Sequence, residues 1–189
     1  MHALILNGSP RKNGNTEYIV TMVAEALTKA GAEVDPVRLA DLDIHPCIGC
    51  GHCEKEGICI FKDDMVPLYE QIAAADKIIL ASPIYFYGLT AQAKTCIDRC
   101  QALWSRKYIL KEPVSGKPGR KGYLISVAAT RGERVFEGAI LTARYGLDAM
   151  DAPYNGDLLY SGVDFRGAVS EHPDYPDKII DFIRRLQES

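Results

Sequence analysis

The sequence predicts a three-layer α/β fold built on a doubly wound parallel sheet, as a single domain over residues 1–189. Short apolar runs alternate with amphipathic segments of helical period along the chain. The inner runs are apolar at nearly every position, which is typical of parallel strands covered on both faces. Because 47% of the residues are hydrophobic and 25% are charged, the composition is that of a globular domain rather than a disordered or fibrous chain.

The first predicted unit is a strand, a helix and a second strand. His2–Asn7 is a short apolar run bounded by turn residues, which indicates a buried strand. The helix begins near Thr16, with Asn15 as its predicted N-cap and Gly31 just after its last turn. Glu33–Leu39 is predicted as a strand at the sheet edge, because it contains a proline.

An irregular stretch from about residue 40 to residue 62 follows, and it holds four of the six cysteines. Long structureless stretches are uncommon in compact domains, so this loop is expected either to be functional or to contain regular structure that the sequence pattern does not show. Asp63 or Asp64 is then predicted to cap a helix that ends near Ala74.

Three further strands and three further helices are predicted in the rest of the chain. The strands are predicted at Lys77–Ala81, Gly122–Ala128 and Asp157–Ser161. The helices are predicted at Thr90–Trp104, about Arg134–Leu147 and Pro176–Gln187, with a loop over Lys107–Gly119.

Charge and hydropathy argue against several classes of partner. A formal net charge of −3 provides no basic surface for nucleic acid or for an anionic membrane. No run approaches the roughly 18 apolar residues of a membrane span. The apolar start of the chain is interrupted by Asn7-Gly8-Ser9-Pro10 before a signal-peptide core could form, so we expect a cytoplasmic protein whose cysteines do not form a disulfide framework.

The loop after the first strand is a candidate phosphate site. Ligands of doubly wound sheets bind at the carboxyl ends of the strands, and this loop lacks both the GxGxxG and the Walker A pattern. Ser9, Asn15 and Thr16 can donate hydrogen bonds to a phosphate, and Arg11 can neutralise it, at a helix N-terminus whose dipole favours anions. The alternative is a polar turn that ends in an N-cap.

The loops after the third and fourth strands are candidates for holding a flat ligand. Tyr85, Phe86 and Tyr87 are consecutive aromatic residues, which favours packing against a planar group, the alternative being a loop folded onto itself. The small residues of the loop at 129–132 allow a planar ligand to approach closely.

The cysteine spacing is C-x2-C-x2-C-x5-C, formed by Cys47, Cys50, Cys53 and Cys59. Structural zinc sites usually place two cysteine pairs about a dozen or more residues apart. Three cysteines at two-residue gaps with a fourth nearby instead favour a 4Fe–4S cluster, as in bacterial ferredoxins. Zinc and free thiols remain the alternatives.

The other polar and sulfur-bearing residues near these loops are predicted to have structural roles. Cys96 and Cys100 are predicted to be buried thiols. Asp98 and Arg99 are predicted to be a helix-surface pair, and His52 a solvated loop residue.

Three segments, in this order, resemble the NAD(P)H-dependent FMN reductase group of flavodoxin-like proteins, and more narrowly the iron–sulfur flavoproteins. They are LILNGSPRKNGNT, CIGCGHCEKEGICIFKDDM and IILASPIYFYGLTAQAKTCIDR. The resemblance is dense from Met1 to about Trp104 and rests on element order beyond that. It implies a flavodoxin-like three-layer sandwich whose five-stranded parallel sheet has the order 2-1-3-4-5.

The resemblance also implies a flavin site and a metal site. It places the FMN phosphate on Ser9, Arg11, Asn13, Asn15 and Thr16. It places the isoalloxazine ring against Pro83, Ile84, Tyr85, Phe86, Tyr87, Gly88, Ala129, Thr130, Arg131 and Gly132. The four cysteines of the loop match the 4Fe–4S motif of the iron–sulfur flavoproteins, although relatives with a similar segment and no cluster exist.

The expected function is that of an FMN-dependent oxidoreductase, with the chemistry on FMN and no catalytic side chain. It would pass electrons between NAD(P)H or a ferredoxin-like carrier and a small acceptor. The alternatives are a cluster-free NAD(P)H:FMN or quinone reductase, a non-enzymatic flavodoxin-type carrier, and a zinc-stapled binding module. Because the aromatic loop and the cysteine loop both need cover, a homodimer or a tetramer is expected.

Overall fold

A parallel sheet of five strands lies at the centre of the molecule, and a computed structural model describes residues 1–188 of the chain. The sheet order is β2-β1-β3-β4-β5, with every neighbouring pair parallel. The strands are β1 (His2–Asn7), β2 (Glu33–Arg38), β3 (Lys77–Pro83), β4 (Lys121–Ala128) and β5 (Tyr154–Ser161). The flavodoxin-like order is therefore confirmed, and β2 lies at the edge of the sheet, as its proline predicts.

Helices cover both faces of the sheet, so the three-layer arrangement is also confirmed. Helices α1 and α7 pack on one face, and α3 to α6 pack on the other. The bounds are α1 (Asn15–Lys29), α2 (His52–Glu56), α3 (Met65–Ala74), α4 (Ala91–Arg99), α5 (Gln101–Tyr108), α6 (Glu137–Ala149) and α7 (Asp177–Glu188). Within residues 1–188, no helix is long and apolar enough to cross a membrane.

The strand side chains divide the core into two layers. Leu4 and Leu6 of β1 face the layer formed with α3 to α6, whereas Ala3 and Ile5 face α1 and α7. All four are fully buried. Burying a leucine or isoleucine side chain contributes about 1.5–3 kcal/mol, so the central strands fix the position of the loops at their ends.

The helix that was expected over residues 90–104 is divided in two. It breaks at Cys100, and α5 then continues to Tyr108, inside the stretch that was expected to be a loop. The cysteine loop also contains regular structure, namely α2 and a short 3-10 helix at Leu39–Asp41. These short elements lack enough turns to show a hydrophobic period in the sequence.

The termini of α1 confirm one prediction and correct another. Gly31 follows the helix with φ of +84°, the left-handed conformation that favours glycine after a last turn. Asn15, however, is the first helical residue, and Gly14 takes the N-cap position without a side-chain cap. The Asn15 side chain is used elsewhere, in contacts with a distant loop.

Candidate functional site

The first candidate site is a pocket at the carboxyl ends of β1, β3 and β4. Its volume is about 170 Å³. Four segments line it: the loop before α1, the start of the β3–α4 loop, the end of β4 and a late loop near residue 165. The lining residues are Ser9, Arg11, Lys12, Gly14, Asn15, Thr16, Pro83, Ile84, Tyr85, Val127, Ala129, Val163, Asp164 and Arg166.

One end of this pocket suits an anion. The first N–H groups of a helix have no intrahelical partner, and here those of α1 border the pocket. Ser9 and Thr16 are 3% and 2% exposed, so their hydroxyls stand in a largely dehydrated place. Because Arg11 and Arg166 add positive charge, the donor set fits a phosphate group.

Asn15 organises this pocket rather than capping α1. Its Nδ2 donates to the carbonyl of Phe165 at 2.7 Å, and its Oδ1 accepts from the N–H groups of Gly167 at 3.0 Å and Val169 at 3.4 Å. The amide thus fastens the late loop onto the start of α1. The Asn15 amide therefore donates and accepts its hydrogen bonds within the protein.

Arg166 fastens the same late loop from the other side. Its Nε donates to the carbonyl of Asn13 at 2.8 Å, and its Nη2 donates to that of Lys12 at 2.9 Å. The loop before α1 is therefore held by two side chains that approach from about 150 positions away in the sequence. These contacts hold in place the end of the pocket that suits an anion.

The aromatic loop after β3 turns two side chains away from the pocket. The backbones of Tyr85 and Gly88 exchange two hydrogen bonds, at 2.9 Å and 3.0 Å, which closes a tight turn. Phe86 and Tyr87 take left-handed φ values of +48° and +61° in that turn. Phe86 is fully exposed and Tyr87 is 54% exposed, so the turn presents an apolar tip to solvent.

About half of the residues predicted to bind FMN line the pocket. They are Ser9, Arg11, Asn15, Thr16, Pro83, Ile84, Tyr85 and Ala129. The others lie outside its lining: Asn13, Phe86, Tyr87, Gly88, Thr130, Arg131 and Gly132. Their contact with a flavin stays a prediction, as does that of the lining set.

Sequence reasoning missed six lining residues. Lys12 and Gly14 belong to the loop that had been singled out, and Val127 ends a predicted strand, so their positions were available signals. Val163, Asp164 and Arg166 come from a loop with no recognisable motif. Only the fold brings that loop to the start of α1.

The second candidate site is a cavity beside the junction of α4 and α5. All four predicted metal ligands, Cys47, Cys50, Cys53 and Cys59, line this cavity, whose volume is about 140 Å³. Ile60, Phe61, Arg99, Gln101 and Ala102 are among the residues that complete it.

The cysteine loop can enclose the cavity because two glycines reverse its direction. Gly49 and Gly51 have φ values of +64° and +73°, which residues with a side chain adopt at a cost. All four thiols are free. The short helix α2 begins directly after Gly51 and carries Cys53 toward α5, where its Sγ lies 3.6 Å from the hydroxyl of Ser105.

The cysteine arrangement fits a multi-iron cluster. Four thiolates, one for each iron, hold a 4Fe–4S cluster. All four thiols line one cavity, so the donor set is the one that such a cluster needs. Over residues 1–188, no three His, Cys, Asp or Glu side chains are gathered as the ligands of a single metal ion.

The predicted surface pair of Asp98 and Arg99 is wrong. Arg99 is 1% exposed and forms a bidentate ion pair with Asp63, with nitrogen–oxygen distances of 2.6 Å and 3.0 Å. Asp98 pairs instead with Lys94 on the surface of α4 at 2.7 Å. Cys96 and Cys100 are buried, as predicted.

The buried Asp63 carboxylate accepts several hydrogen bonds at the base of the cysteine loop. Besides Arg99, it accepts from the backbone N–H groups of His45 at 3.0 Å and Met65 at 3.2 Å. Burial alone would raise the pKa of this carboxyl group, but the bonds from Arg99 and from the two N–H groups lower the pKa well below its usual range. The carboxyl group is therefore ionised at neutral pH.

Helix α4 connects the two candidate sites. At its start, Thr90 caps the helix by accepting from the N–H of Ala93 at 3.3 Å and donates to the carbonyl of Gly8 at 2.6 Å. At its end, Arg99 borders the cysteine cavity. The helix has nine residues and is therefore about 13 Å long.

A doubly wound parallel sheet of this order, with a pocket at the carboxyl ends of its strands, defines the flavodoxin-like class of fold. A family model described as NADPH-dependent FMN reductase matches residues 1–151. The chain belongs to this family.

Sequence relatives are named as iron–sulfur flavoproteins. One from Methanocaldococcus jannaschii is 41% identical over 103 residues, which cover 54% of this chain and 53% of that protein. One from Methanosarcina thermophila is 36% identical over 126 residues, which cover 67% of this chain and 62% of that protein. This chain thus spans about half to three fifths of the length of these relatives.

Solved structures share the fold at low sequence identity. An FMN-dependent NADH-azoreductase from Bacillus anthracis, solved with FMN, superposes with a TM-score of 0.72 at 11% identity, over 98% of this chain and 99% of that one. An NAD(P)H:quinone oxidoreductase from Methanothermobacter marburgensis gives 0.67 at 16% identity, over 100% and 93%. At these identities the likeness establishes the fold alone.

Proposed function

We propose that the protein is an FMN-dependent oxidoreductase that passes electrons between NAD(P)H or a ferredoxin-like carrier and a small acceptor. The observation that carries this proposal is the pocket at the carboxyl ends of the strands, where the N-terminus of α1 meets Arg11, Ser9 and Thr16. Family membership and the names of the relatives support the same activity. When bound, FMN supplies hydride and single-electron transfer, so no catalytic side chain is needed.

The protein's own residues would bind and orient the flavin. The Ser9 and Thr16 hydroxyls and the first N–H groups of α1 would hold the phosphate, and the charge of Arg11 would offset its charge. Pro83, Ile84 and Tyr85 provide an apolar wall for the ring system. Because Pro83 and Ile84 are half-buried and Tyr85 is 41% exposed, this wall leaves apolar surface open for a ring system to cover.

We propose further that the four cysteines hold a 4Fe–4S cluster, which would exchange single electrons with the carrier. Their shared cavity and the names of the relatives support this proposal. Free thiols and such clusters persist in a reducing compartment, so we place the protein in the cytoplasm.

We also propose that the protein forms a homodimer through the aromatic turn, or a tetramer built from such dimers. The apolar tip formed by Phe86 and Tyr87 is the supporting observation, because a fully exposed phenylalanine on a left-handed turn lacks cover within residues 1–188. Sedimentation analysis of wild type and Phe86→Ser at several protein concentrations tests this proposal. The variant should form a weaker dimer, which dissociates at a higher protein concentration than the wild-type dimer. Wild type that sediments as a monomer would contradict it.

The flavin proposal is tested by titrating the deflavinated protein with FMN. Arg11→Ala should weaken binding by about tenfold or more, because a hydrogen bond to a charged group contributes about 1.5–3 kcal/mol. The matched control is Arg134→Ala, which removes an arginine that pairs with Glu137 on the surface and leaves the pocket unchanged. Equal dissociation constants for Arg11→Ala and wild type would contradict the phosphate assignment.

Activity is tested by following oxidation of NADH and NADPH by the flavin-loaded protein with a quinone as acceptor. We expect turnover by the flavin-loaded protein and none by the deflavinated protein. Wild type that binds FMN but oxidises neither nucleotide, and accepts no electrons from a reduced ferredoxin, would contradict the proposed activity.

The cluster proposal is tested by iron and acid-labile sulfide analysis of protein purified without oxygen. Wild type should contain both, and Cys50→Ser should lose iron while it retains FMN. Cys96→Ser is the matched control, because Cys96 is a buried thiol outside the cavity. Zinc in place of iron, or equal iron in Cys50→Ser and wild type, would overturn the cluster.

A further inference from the structure

Arg99 borders the cysteine cavity with one of its hydrogen-bond donors unused. Nη1 donates to Asp63 and to the carbonyl of His45, the latter at 2.8 Å, and Nη2 donates to Asp63. The remaining donor, Nε, is buried and has no hydrogen-bond partner within the described chain. Buried donors are nearly always paired, so this group calls for a partner that the protein itself does not provide.

The cavity that Arg99 lines offers such a partner. Four of the residues around it are cysteines, whose sulfur atoms accept hydrogen bonds when they are thiolates. Arg99 and Cys59, one of the proposed ligands, both line this cavity.

Arg99 is also the cation of this cavity. The lining contains Glu54 and the four cysteines but no lysine and no second arginine among residues 1–188. A 4Fe–4S cluster with four thiolates is anionic, and it gains a further negative charge when it is reduced. Because hydrogen bonds to sulfur and nearby charge set the potential of such clusters, an arginine at this position favours the reduced form.

The guanidinium is held in one place by its surroundings. Its Cζ lies 4.9 Å from the centre of the Phe61 ring, which itself stacks on His45. The carbonyl of Arg99 accepts from the hydroxyl of Tyr69 at 2.7 Å. Arg99 thus contacts both ends of the cysteine loop, before Cys47 and after Cys59, and has little freedom to move away from it.

We propose that Arg99 donates its Nε–H to a sulfur atom of the cluster and thereby raises the cluster's reduction potential. This inference rests on the cluster proposed above. A role limited to holding the loop would affect iron content but not the potential of the clusters that form.

The test compares wild type with two variants purified without oxygen as full-length holoprotein. Arg99→Lys keeps the charge and removes the Nε–H. Arg99→Gln combined with Asp63→Asn removes both charges of the pair, so that no unpaired carboxylate is left buried. Lys94→Gln is the matched control, since Lys94 pairs with Asp98 on the exposed face of the same helix. Iron per flavin and the midpoint potential of the cluster, titrated by electron paramagnetic resonance, are measured for each protein.

We expect iron in all four proteins, with a more negative potential in the double variant and a smaller negative shift in Arg99→Lys. The Lys94→Gln potential should equal that of wild type. Wild-type potentials in both Arg99 variants would overturn this inference and leave the cluster proposal standing. Loss of iron from both Arg99 variants would also overturn it, in favour of a purely structural role. Wild type without iron would refute the cluster proposal itself, and the inference with it.

Discussion

The pocket at the strand ends and the cysteine cavity differ in what holds their residues in place. The pocket is formed by the ends of β1, β3 and β4, by the start of α1 and by the late loop near residue 165, so buried strands position much of its lining. The cavity is formed mainly by a loop, and at its base that loop is tied to α4 by the ion pair of Arg99 with Asp63. The pocket is therefore held largely by the sheet, whereas the cysteine cavity depends on a few specific contacts.

Burial shows the same difference. Ser9 and Thr16 of the pocket are 3% and 2% exposed, although both are polar. In the cysteine loop, Ile48, Ile58 and Ile60 are 67%, 51% and 51% exposed, although all are apolar. The loop therefore gains little from hydrophobic burial, and local opening there should cost far less than opening of the sheet.

The largest expected effect comes from breaking the buried ion pair. Asp63→Asn should lower the free energy of unfolding by about 3–5 kcal/mol, because it leaves the Arg99 charge buried without its counterion. Asp98→Asn, which removes an exposed carboxylate one residue before Arg99, should cost about 1 kcal/mol or less. Denaturant unfolding measures both; equal losses would show that the loop does not depend on this pair.

A smaller effect is expected at the contact between the loop before α1 and α4. A Cβ on Gly8 would lie 2.6 Å from the Cβ of Ala93, so Gly8→Ala should cost about 1–3 kcal/mol through overpacking. It should also weaken FMN binding, because the loop must shift. Gly116→Ala is the control, since nothing lies within 4 Å of its added methyl group. Thermal and denaturant unfolding measure the stability of both variants, and FMN titration measures their binding. If Gly8→Ala has the stability and the FMN affinity of wild type, the close contact between Gly8 and α4 does not constrain the pocket.

The smallest effect concerns pH. Because the folded-state pKa of Asp63 is lowered, its contribution to stability is fully present above its ordinary pKa of 3.8 and is lost as pH falls through the lower folded-state value. The stability difference between wild type and Asp63→Asn should therefore be constant from pH 7 to about pH 5 and shrink by about 1 kcal/mol at pH 3. Unfolding measured across this range checks it; a difference that shrinks above pH 5 would contradict the lowered pKa.

Much of the fold could be predicted from the sequence because its signals are local. The strand runs and helix periods are each set by neighbouring residues, and the predicted strands overlap all five observed ones. The break at Cys100 could not be predicted, since α4 and α5 together keep an amphipathic pattern across it. The resemblance to a known family then supplied the sheet order, which local patterns leave open.

The candidate sites were predictable only where their residues are close in sequence. The four cysteines and the loop before α1 can be recognised in the sequence by their spacing and residue types. The burial of Arg99 could not be predicted, because its partner Asp63 lies 36 positions away in the sequence and the neighbouring Asp98 suggested a simpler pair. Asn15 was likewise predicted to be a cap from its residue type and position. Its actual role was missed because its bonds to a loop 150 positions away leave no local signal in the sequence.

The clamp formed by Arg99 and Asp63 has a consequence for how the cysteine site is assembled. The N–H of His45 reaches Asp63 across 18 positions of the chain, so the loop that carries the four thiols is already closed in the folded protein. Closing a flexible loop of that length costs about 2–3 kcal/mol in chain entropy, apart from a constant. The fold therefore bears this entropic cost before any metal binds. In the proposed cluster site, the thiols would face incoming iron at a high effective concentration, and filling the site would require only local adjustment of the loop.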